Sequence, residues 1–443
     1  AYFCQDAFLN QLGVSPTFNL LTSVMDDMRP ENKYLHLMDE QEAITKAQAL
    51  LNRPGEANVS PLAVYRHPSM TDSVQRHRPN VVLIMMESMS CKFMKHFGQS
   101  ETLTPFLDSL YTRSISFRNF YSAGIHTNHG LYATLYSFPA MMKRNLMKGS
   151  VIPRYSGLPT VLKENGYYNL FFMTHEGQYD NMNAFFRTNG YDEVFSQENY
   201  PADKVVNSFG VQDDFLYDYA IPVLNQRAAT GQPFFATLLS ISNHPPYVIP
   251  PFFHPKTSEP ETQIVEYADW ALRQFFEEAR KQPWFDNTIF VLEGDHGKLV
   301  GDAECELPES YNHIPLMIYS SRIQPEEKTT FGGQVDIQPT ILGLLNIDYL
   351  QNNFGVDLLK EERPCMFYTA DNMVVGRNDT LLYLYNYETQ QELTYDIGNG
   401  KLNAVPMGDS FLPLKEYSFS MLQSAEFLVK HGKTLNSIPF TQQ

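Results

Sequence analysis

Cysteine is scarce in this chain, and long apolar runs are absent. Only four of the 443 residues are cysteine, namely Cys4, Cys91, Cys305 and Cys365. No two of them have the CxxC spacing, which argues against a cysteine zinc cluster and leaves one or two disulfides open in an exported protein. No run of 18 or more apolar residues occurs, so no segment of this sequence is expected to span a membrane.

Positive charge is also in deficit. The chain has 33 Lys and Arg against 50 Asp and Glu, a formal net charge of −17. A nucleic-acid partner is therefore not expected, and no basic patch for a membrane surface is evident. An anionic substrate stays open, because a bound cation reverses the local field.

What is present indicates a large folded unit. Hydrophobic residues make up 43% of the chain, enough for a substantial core. The length favours one large α/β domain with a smaller appendage. We expect a lead-in segment at 1–78 that packs on the core, a catalytic domain at 79–353 and a small α+β subdomain at 354–443.

Continuous apolar runs predict strands that are covered on both faces. They lie at 80–86, 169–173, 234–241, 288–292 and 315–319. Helical patterns at 104–113, 158–165, 211–228 and 265–282 lie between them. This alternation predicts an α/β fold with a doubly wound, mainly parallel sheet. After residue 354, short strands at 366–370, 381–387 and 391–395 and a helix at 410–431 predict a small antiparallel sheet plus helix.

Polar side chains follow several of the predicted strands. They lie beyond the carboxyl ends of those strands, which is where ligands bind in such sheets. Glu87, His175 and His244 each follow an apolar run closely, and Asp295-His296 follow another. Carboxylate and imidazole ligands suit Mn²⁺, Mg²⁺ or Zn²⁺. The glycines on either side of Asp295-His296 are expected to let the backbone turn sharply.

A candidate nucleophile lies in the segment YSAGIHTNHG at 121–130. Thr127 comes just before an apparent helix at 131–138, whose amides and a nearby metal would stabilise an alkoxide and a bound phosphoryl oxygen. The alternative is that Thr127 only caps the helix, a role that Asn128 fills equally well.

The order of Glu87, Thr127 and Asp295-His296, over roughly residues 80–345, resembles the lipoteichoic acid synthase branch of the alkaline phosphatase and sulfatase superfamily. The branch includes phosphoglycerol transferases. The resemblance implies one divalent metal, Mn²⁺ or Mg²⁺ with Zn²⁺ still open, held by Glu87, Thr127, Asp295 and His296. It also implies that Thr127 attacks a phosphodiester and holds a covalent phosphoryl intermediate.

The same resemblance implies substrate-binding residues, namely His175, Asp180, Asn181, Arg187, His244 and His313. His244 would lie beside the substrate phosphate and donate to it or to the leaving group. Each candidate has an ordinary alternative: His244 as a loop residue, Arg187 on a helix surface and His313 as a structural histidine. A second metal site is not expected, because no Asp-x-x-x-His motif is evident.

The segment Thr127-Asn128-His129-Gly130-Leu131 departs from the formylglycine sulfatases. Those enzymes modify the Cys or Ser of a Cys/Ser-x-Pro-x-Arg motif, and here the segment has neither Cys nor Ser, no Pro and no Arg. A Thr nucleophile suits phosphoryl transfer better.

We therefore expect a phosphotransferase or phosphodiesterase that acts on a glycerophosphate-type phospholipid headgroup in the bacterial envelope. It would work at the periplasmic or extracellular face of the cytoplasmic membrane, on an anchor that precedes Ala1. Two alternatives stay open: a hydrolase of soluble phosphate or sulfate esters, and a catalytically silent ectodomain that binds glycan or lipid.

Overall fold

The computed structural model describes residues 34–67, 78–149, 151–398 and 400–436. The strands are β1 (Val64–Arg66), β2 (Asn80–Met86), β3 (Ile115–Tyr121), β4 (Tyr168–Met173), β5 (Glu193–Phe195), β6 (Phe234–Leu239), β7 (Thr288–Gly294), β8 (Leu316–Tyr319), β9 (Glu326–Gly333), β10 (Tyr349–Gln351), β11 (Met366–Thr369), β12 (Met373–Arg377), β13 (Leu381–Asn386), β14 (Gln391–Gly398) and β15 (Lys401–Ala404). The helices are α1 (Glu40–Leu51), α2 (Pro105–Tyr111), α3 (Thr127–Tyr136), α4 (Leu158–Glu164), α5 (Met182–Thr188), α6 (Asp213–Ala228), α7 (Pro260–Ala279), α8 (Ile337–Leu344) and α9 (Leu412–Lys430).

An eight-stranded sheet forms the centre of the fold, in the order β5-β4-β6-β2-β7-β8-β3-β9. Its strands run parallel except β8, which is antiparallel to both neighbours. Every residue of β2, β6 and β7 is buried, which explains their unbroken apolar sequences. Helices pack on both faces over two hydrophobic cores, so the predicted α/β class is confirmed.

Several elements differ from the sequence prediction. Strands β3 and β9 were not predicted, because ISFRNFY and EEKTTFGG are interrupted by polar residues and are partly exposed. Helix α3 begins at Thr127, one turn earlier than expected. Strand β12 (Met373–Arg377) was not predicted either.

The predicted antiparallel sheet and terminal helix are present after residue 354. Strands β11 to β15 pair in sequence order as a meander, and α9 follows them. The described part of the lead-in segment packs on α9: the Leu35 amide donates to Glu426 at 3.0 Å, and Lys46 pairs with Glu416 at 2.8 Å. One hydrophobic core runs from Leu35 to Leu428, so the division into three parts stays a prediction.

Cys91, Cys305 and Cys365 are free thiols, and Cys4 lies outside the described residues. Within the described ranges, no helix is both long and apolar enough to cross a bilayer.

Candidate active site

Three predicted metal ligands meet at the carboxyl end of the sheet. Glu87 follows β2, and Asp295 and His296 follow the neighbouring strand β7. One ligand atom from each lies within 4.8 Å of the other two. The Nε2 atom of His296 is 3.8 Å from Glu87 Oε1 and 3.6 Å from Asp295 Oδ2. The buried Oδ2 atom of Asp295 has no hydrogen-bond partner among the described residues, so the cluster fits a cation.

The electrostatics of the cluster point the same way. Burial raises the pKa of Asp295, and the neighbouring charge of Glu87 raises it further. Burial lowers the pKa of His296, but the Asp295 and Glu87 carboxylates outweigh it, so this pKa is raised overall. Two buried carboxylates beside an imidazole form a donor set for Mn²⁺, Mg²⁺ or Zn²⁺.

A backbone carbonyl orients the His296 ring. The Nδ1 atom lies 2.7 Å from the carbonyl oxygen of Gly297, which can only accept, so Nδ1 carries the proton in the neutral ring. The unprotonated Nε2 atom then faces the two carboxylates, which is the tautomer that a metal ligand needs.

The loop after β2 supplies supporting groups that the sequence did not reveal. Ser88 has a left-handed backbone (φ 50°), which is unusual outside glycine. Its amide donates to Asp295 Oδ1 at 2.8 Å and its hydroxyl donates to Glu87 Oε1 at 2.6 Å. Asn243 donates to the carbonyls of Glu87 and Ser88 at 3.2 and 3.1 Å. Position directly after a buried strand was the one available signal for Ser88.

The glycines on either side of Asp295-His296 are explained by close packing rather than by a left-handed backbone. Neither Gly294 nor Gly297 has a positive φ. A Cβ atom on Gly297 would overlap the carbonyl oxygen of Ser310, and one on Gly294 would lie 2.5 Å from the Met89 carbonyl oxygen. The backbone does bend at Asp295, but without a positive φ at either glycine, so close packing is what excludes a side chain at both positions.

Thr127 joins the cluster as the first residue of α3. Its hydroxyl donates to Glu87 Oε2 at 3.4 Å. The capping alternative is not observed, since His126 holds the N-cap position without a side-chain cap and the Asn128 amide donates to Asp180 at 3.2 Å. The N–H groups of Thr127 and Asn128 have no acceptor within the part of the chain described. Such free amides at a helix start bind anions.

Tight packing fixes α3 against the loop after β7. A Cβ atom on Gly130 would overlap the Asp295 carbonyl oxygen. The Gln334 side chain bridges the two segments, donating to the Asp295 carbonyl at 2.7 Å and accepting from the Ala123 amide at 2.8 Å. The nucleophile candidate and the predicted metal ligand Asp295 are thus held by the same contacts.

His244, after β6, is oriented in the same way as His296. Its Nδ1 atom lies 2.7 Å from the Pro245 carbonyl oxygen, and its ring is 4.0 Å from that of Phe209. Burial lowers the pKa of His244, which favours the neutral ring. Its Nε2 atom is therefore a proton acceptor at rest.

The stretch after β4 reaches α3 through Asp180. This carboxylate accepts from Asn128 and pairs with Lys148 at 2.8 Å. Asn181 donates to the Met147 carbonyl at 3.0 Å. His175 is buried, its Nε2 atom has no partner in the described ranges, and burial lowers its pKa to about 4.

Two predicted substrate-binding residues are not brought into the cluster. Arg187 is exposed and donates to Asn183 at 2.8 Å and to the Val194 carbonyl at 3.4 Å. His313 Nε2 lies 2.8 Å from the Arg118 carbonyl oxygen, and its ring stacks on Tyr121 at 5.2 Å. These contacts fit the ordinary alternatives, a surface arginine and a structural histidine.

Lys298 is a further polar residue that no motif marks. Its Nζ atom donates to Asn243 Oδ1 at 2.5 Å and to the Tyr247 hydroxyl at 3.2 Å. Burial lowers the pKa of Lys298 to about 8.

The family model of the sulfatases matches residues 79–347, which is more than half of the chain. The chain belongs to the sulfatase family. Within that family, it is 25% identical over 350 residues to lipoteichoic acid synthase 1 of Bacillus subtilis (73% of this chain, 53% of the relative) and 24% identical over 315 residues to lipoteichoic acid synthase 2 (64% and 47%). The chain spans about half the length of these curated relatives.

Solved structures agree with this sulfatase-family assignment. An alkaline phosphatase superfamily protein from Vibrio parahaemolyticus has a TM-score of 0.79 at 26% identity, covering 90% of this chain and 98% of that one. Lipoteichoic acid synthase LtaP from Listeria monocytogenes shares the fold, with a TM-score of 0.70 at 20% identity over 87% of this chain and 98% of that one. The resemblance and the fold expected from sequence are confirmed.

Proposed function

We propose that this chain is the catalytic part of a metal-dependent phosphotransferase or phosphodiesterase that uses Thr127 on a glycerophosphate-type ester. The observation that carries the proposal is the Thr127 hydroxyl 3.4 Å from Glu87, beside a buried and unpartnered oxygen of Asp295. A hydroxyl in this position can attack a tetrahedral ester held at the same point.

Glu87, Asp295, His296 and Thr127 would hold one divalent cation. When bound, it would neutralise charge on the transferred group and lower the pKa of the Thr127 hydroxyl. Ser88 and Asn243 keep the ligands in position.

The chain's own residues account for the remaining steps. The Thr127 oxygen attacks phosphorus, the bond to the leaving alcohol breaks, and the N–H groups of Thr127 and Asn128 donate to a phosphoryl oxygen. An acceptor hydroxyl then attacks phosphorus and frees Thr127. In the first step His244 Nε2 takes the Thr127 proton and passes it to the leaving oxygen. In the second step it takes the acceptor's proton and returns it to Thr127, so the ring begins and ends each turnover neutral.

Two observations favour phosphoryl over sulfuryl transfer. The nucleophile position holds Thr127, which formylglycine chemistry does not use. The relatives are named lipoteichoic acid synthases, which supports a glycerophosphate-type substrate and work at the outer face of a cytoplasmic membrane. Hydrolysis of soluble esters is the second candidate, because water can replace the acceptor hydroxyl.

The test compares three substrates with the Mn²⁺-loaded protein: phosphatidylglycerol in detergent micelles, 4-nitrophenyl phosphate and 4-nitrophenyl sulfate. We expect release of diacylglycerol from phosphatidylglycerol to have the highest kcat/KM. Faster turnover of either aryl ester would replace the transferase with the hydrolase. Tight Mn²⁺ binding without turnover of any ester would favour a silent ectodomain.

A further inference from the structure

Lys298 lies beside the cluster but is not explained by it. It follows His296 by two residues, and its electrostatic interactions extend to Glu87, His244 and His296. The Asn243 side chain accepts a hydrogen bond from the Lys298 ammonium and also donates one to the Glu87 carbonyl. The ammonium is therefore tied to the same loop that carries a metal ligand.

The ammonium lacks a carboxylate partner. Both of its hydrogen bonds go to neutral oxygens, those of Asn243 and Tyr247, and among the described residues no carboxylate oxygen lies within 4.0 Å of it. Aromatic rings enclose it, with the centroid of Phe93 at 5.4 Å and that of Tyr247 at 4.8 Å. A partly buried charge of this kind is costly unless an anion is present for part of the cycle.

An ammonium has three N–H donors, and protein oxygens accept from two of them here. One donor thus remains for a ligand. His244 is in electrostatic range of Lys298, and its Nε2 atom makes no hydrogen bond to a described residue. The ammonium can therefore donate to an oxygen of a tetrahedral anion, while the unprotonated His244 Nε2 beside it can accept a proton.

Charge indicates the class of ligand that fits. Glu87 and Asp295 together match one divalent cation, and Glu261 acts on Lys298 only from beyond 4.0 Å. The charge of Lys298 therefore favours an anionic ester over a neutral one, and it attracts a doubly charged monoester at least as strongly as a singly charged diester.

We propose that Lys298, supported by Asn243 and Tyr247, binds a non-bridging oxygen of the anionic substrate ester. This inference rests on the proposed function for the identity of the ester. A singly charged sulfate monoester shares the chemistry, and the substrate panel above distinguishes it.

Binding without turnover tests the proposal. Thr127→Ala protein with saturating Mn²⁺ is titrated by calorimetry at pH 7 with glycerophosphoglycerol, a singly charged diester, and with glycerol 3-phosphate, a monoester. Adding K298M should weaken diester binding about 10- to 100-fold and weaken monoester binding at least as much. Adding K298R, which keeps the charge, should hold the loss within about tenfold. Adding K281M, on an exposed lysine, should change nothing.

Mn²⁺ affinity is measured on the same proteins and should be equal in all of them. Unchanged diester binding in K298M would overturn the proposal. A fall in Mn²⁺ affinity that accompanies K298M would also overturn it, because Lys298 would then act through Asn243 on the metal ligands. If K298M does not fold, the K298R protein decides. A loss of diester affinity of more than about 100-fold in folded K298R, as large as that expected for a neutral residue, would overturn the proposal as well. If the wild-type protein turns over no diester while the calorimetric difference holds, only the proposed function falls.

Discussion

At the scale of single residues, the same local backbone contact sets the tautomer of two histidines. The Nδ1 atoms of His244 and His296 each lie 2.7 Å from the carbonyl oxygen of the residue that follows. In their neutral forms both rings leave Nε2 unprotonated. The Nε2 atom of His296 faces Glu87 and Asp295, and that of His244 makes no hydrogen bond within the described ranges. The local backbone, rather than a distant partner, prepares both side chains.

Thr127 carries the most specific residue-scale prediction. Thr127→Ala should lower kcat on phosphatidylglycerol by at least about a thousandfold, because it removes the attacking oxygen while the nearby Ser88 hydroxyl is bound to Glu87 Oε1. Thermal unfolding should stay close to that of the wild type. Thr45→Ala, on the exposed face of α1, is the matched control and should keep full activity. Retained activity in Thr127→Ala would exclude the nucleophile assignment.

Asp295→Asn is expected to have different effects on the free energy of unfolding with and without bound metal. At Mn²⁺ about 100-fold above Kd, the wild type should gain about 2.7 kcal/mol of unfolding free energy, and Asp295→Asn should gain almost none. After the metal is removed by a chelator, Asp295→Asn should be as stable as the wild type or more stable, because the substitution removes a buried charge beside Glu87. Asp286→Asn, exposed near the start of β7, should behave as wild type. Calorimetry measures the stabilisation by Mn²⁺. Equal stabilisation of all three proteins would show that Asp295 is not a metal ligand.

At the scale of elements, the contact between α3 and the loop after β7 sets the site geometry. Gly130→Ala places a methyl group against the Asp295 carbonyl and should cost about 1–3 kcal/mol of unfolding free energy. It should also weaken Mn²⁺ binding, since Asp295 must shift. Chemical denaturation and Mn²⁺ titration measure the two effects.

Gly408→Ala is the control for this substitution. Its added methyl group meets no atom within 4 Å, so stability should change by less than about 0.5 kcal/mol. Equal effects of both alanine substitutions would mean that helix packing on Asp295 is not what orients the site.

The sequence predicted the elements whose burial is uniform and missed those whose burial is mixed. Strands β2, β6 and β7 read as apolar runs because helices cover both of their faces. Strand β9, at the sheet edge, has five of eight residues partly or fully exposed and shows no such run. The first turn of α3 was missed because Thr127-Asn128-His129 are polar, although tertiary contacts place them in the helix.

At the scale of the whole molecule, one buried and one partly buried ion pair join the part after residue 354 to the rest of the fold. Arg363 binds Asp336 with Nε–Oδ2 at 2.9 Å, and both side chains are almost fully buried. Arg377 pairs with Glu309 at 2.9 Å. One of the two hydrophobic cores also runs through both parts, so we expect the described chain to unfold as one unit.

Arg363→Met tests this coupling. It leaves Asp336 buried without its cation and should lower the unfolding free energy by about 3–5 kcal/mol. Lys143→Met removes an ion pair with Glu388 at 3.1 Å that joins the same two parts but is more than half exposed, and it should cost no more than about 1 kcal/mol. Calorimetric unfolding should show one transition in each protein. Two separate transitions in the wild type would contradict the single unit.

The candidate site was predictable in part. Glu87, Asp295 and His296 follow buried strands, so strand position alone indicates them. Ser88, Asn243 and Lys298 were missed because their roles depend on a left-handed backbone or on contacts across strands. Arg187 and His313 were proposed from resemblance, and neither shows a contact with the cluster.

The central claim is that Thr127 forms a covalent bond to the transferred phosphoryl group. Mn²⁺-loaded protein is mixed with phosphatidylglycerol, quenched in acid within milliseconds, digested and examined by peptide mass spectrometry. The account predicts that the peptide containing Thr127 gains the mass of one glycerophosphoryl group, and that Thr127→Ala gains none. Turnover of phosphatidylglycerol with no adduct on that peptide, or with the adduct on another residue, would contradict it.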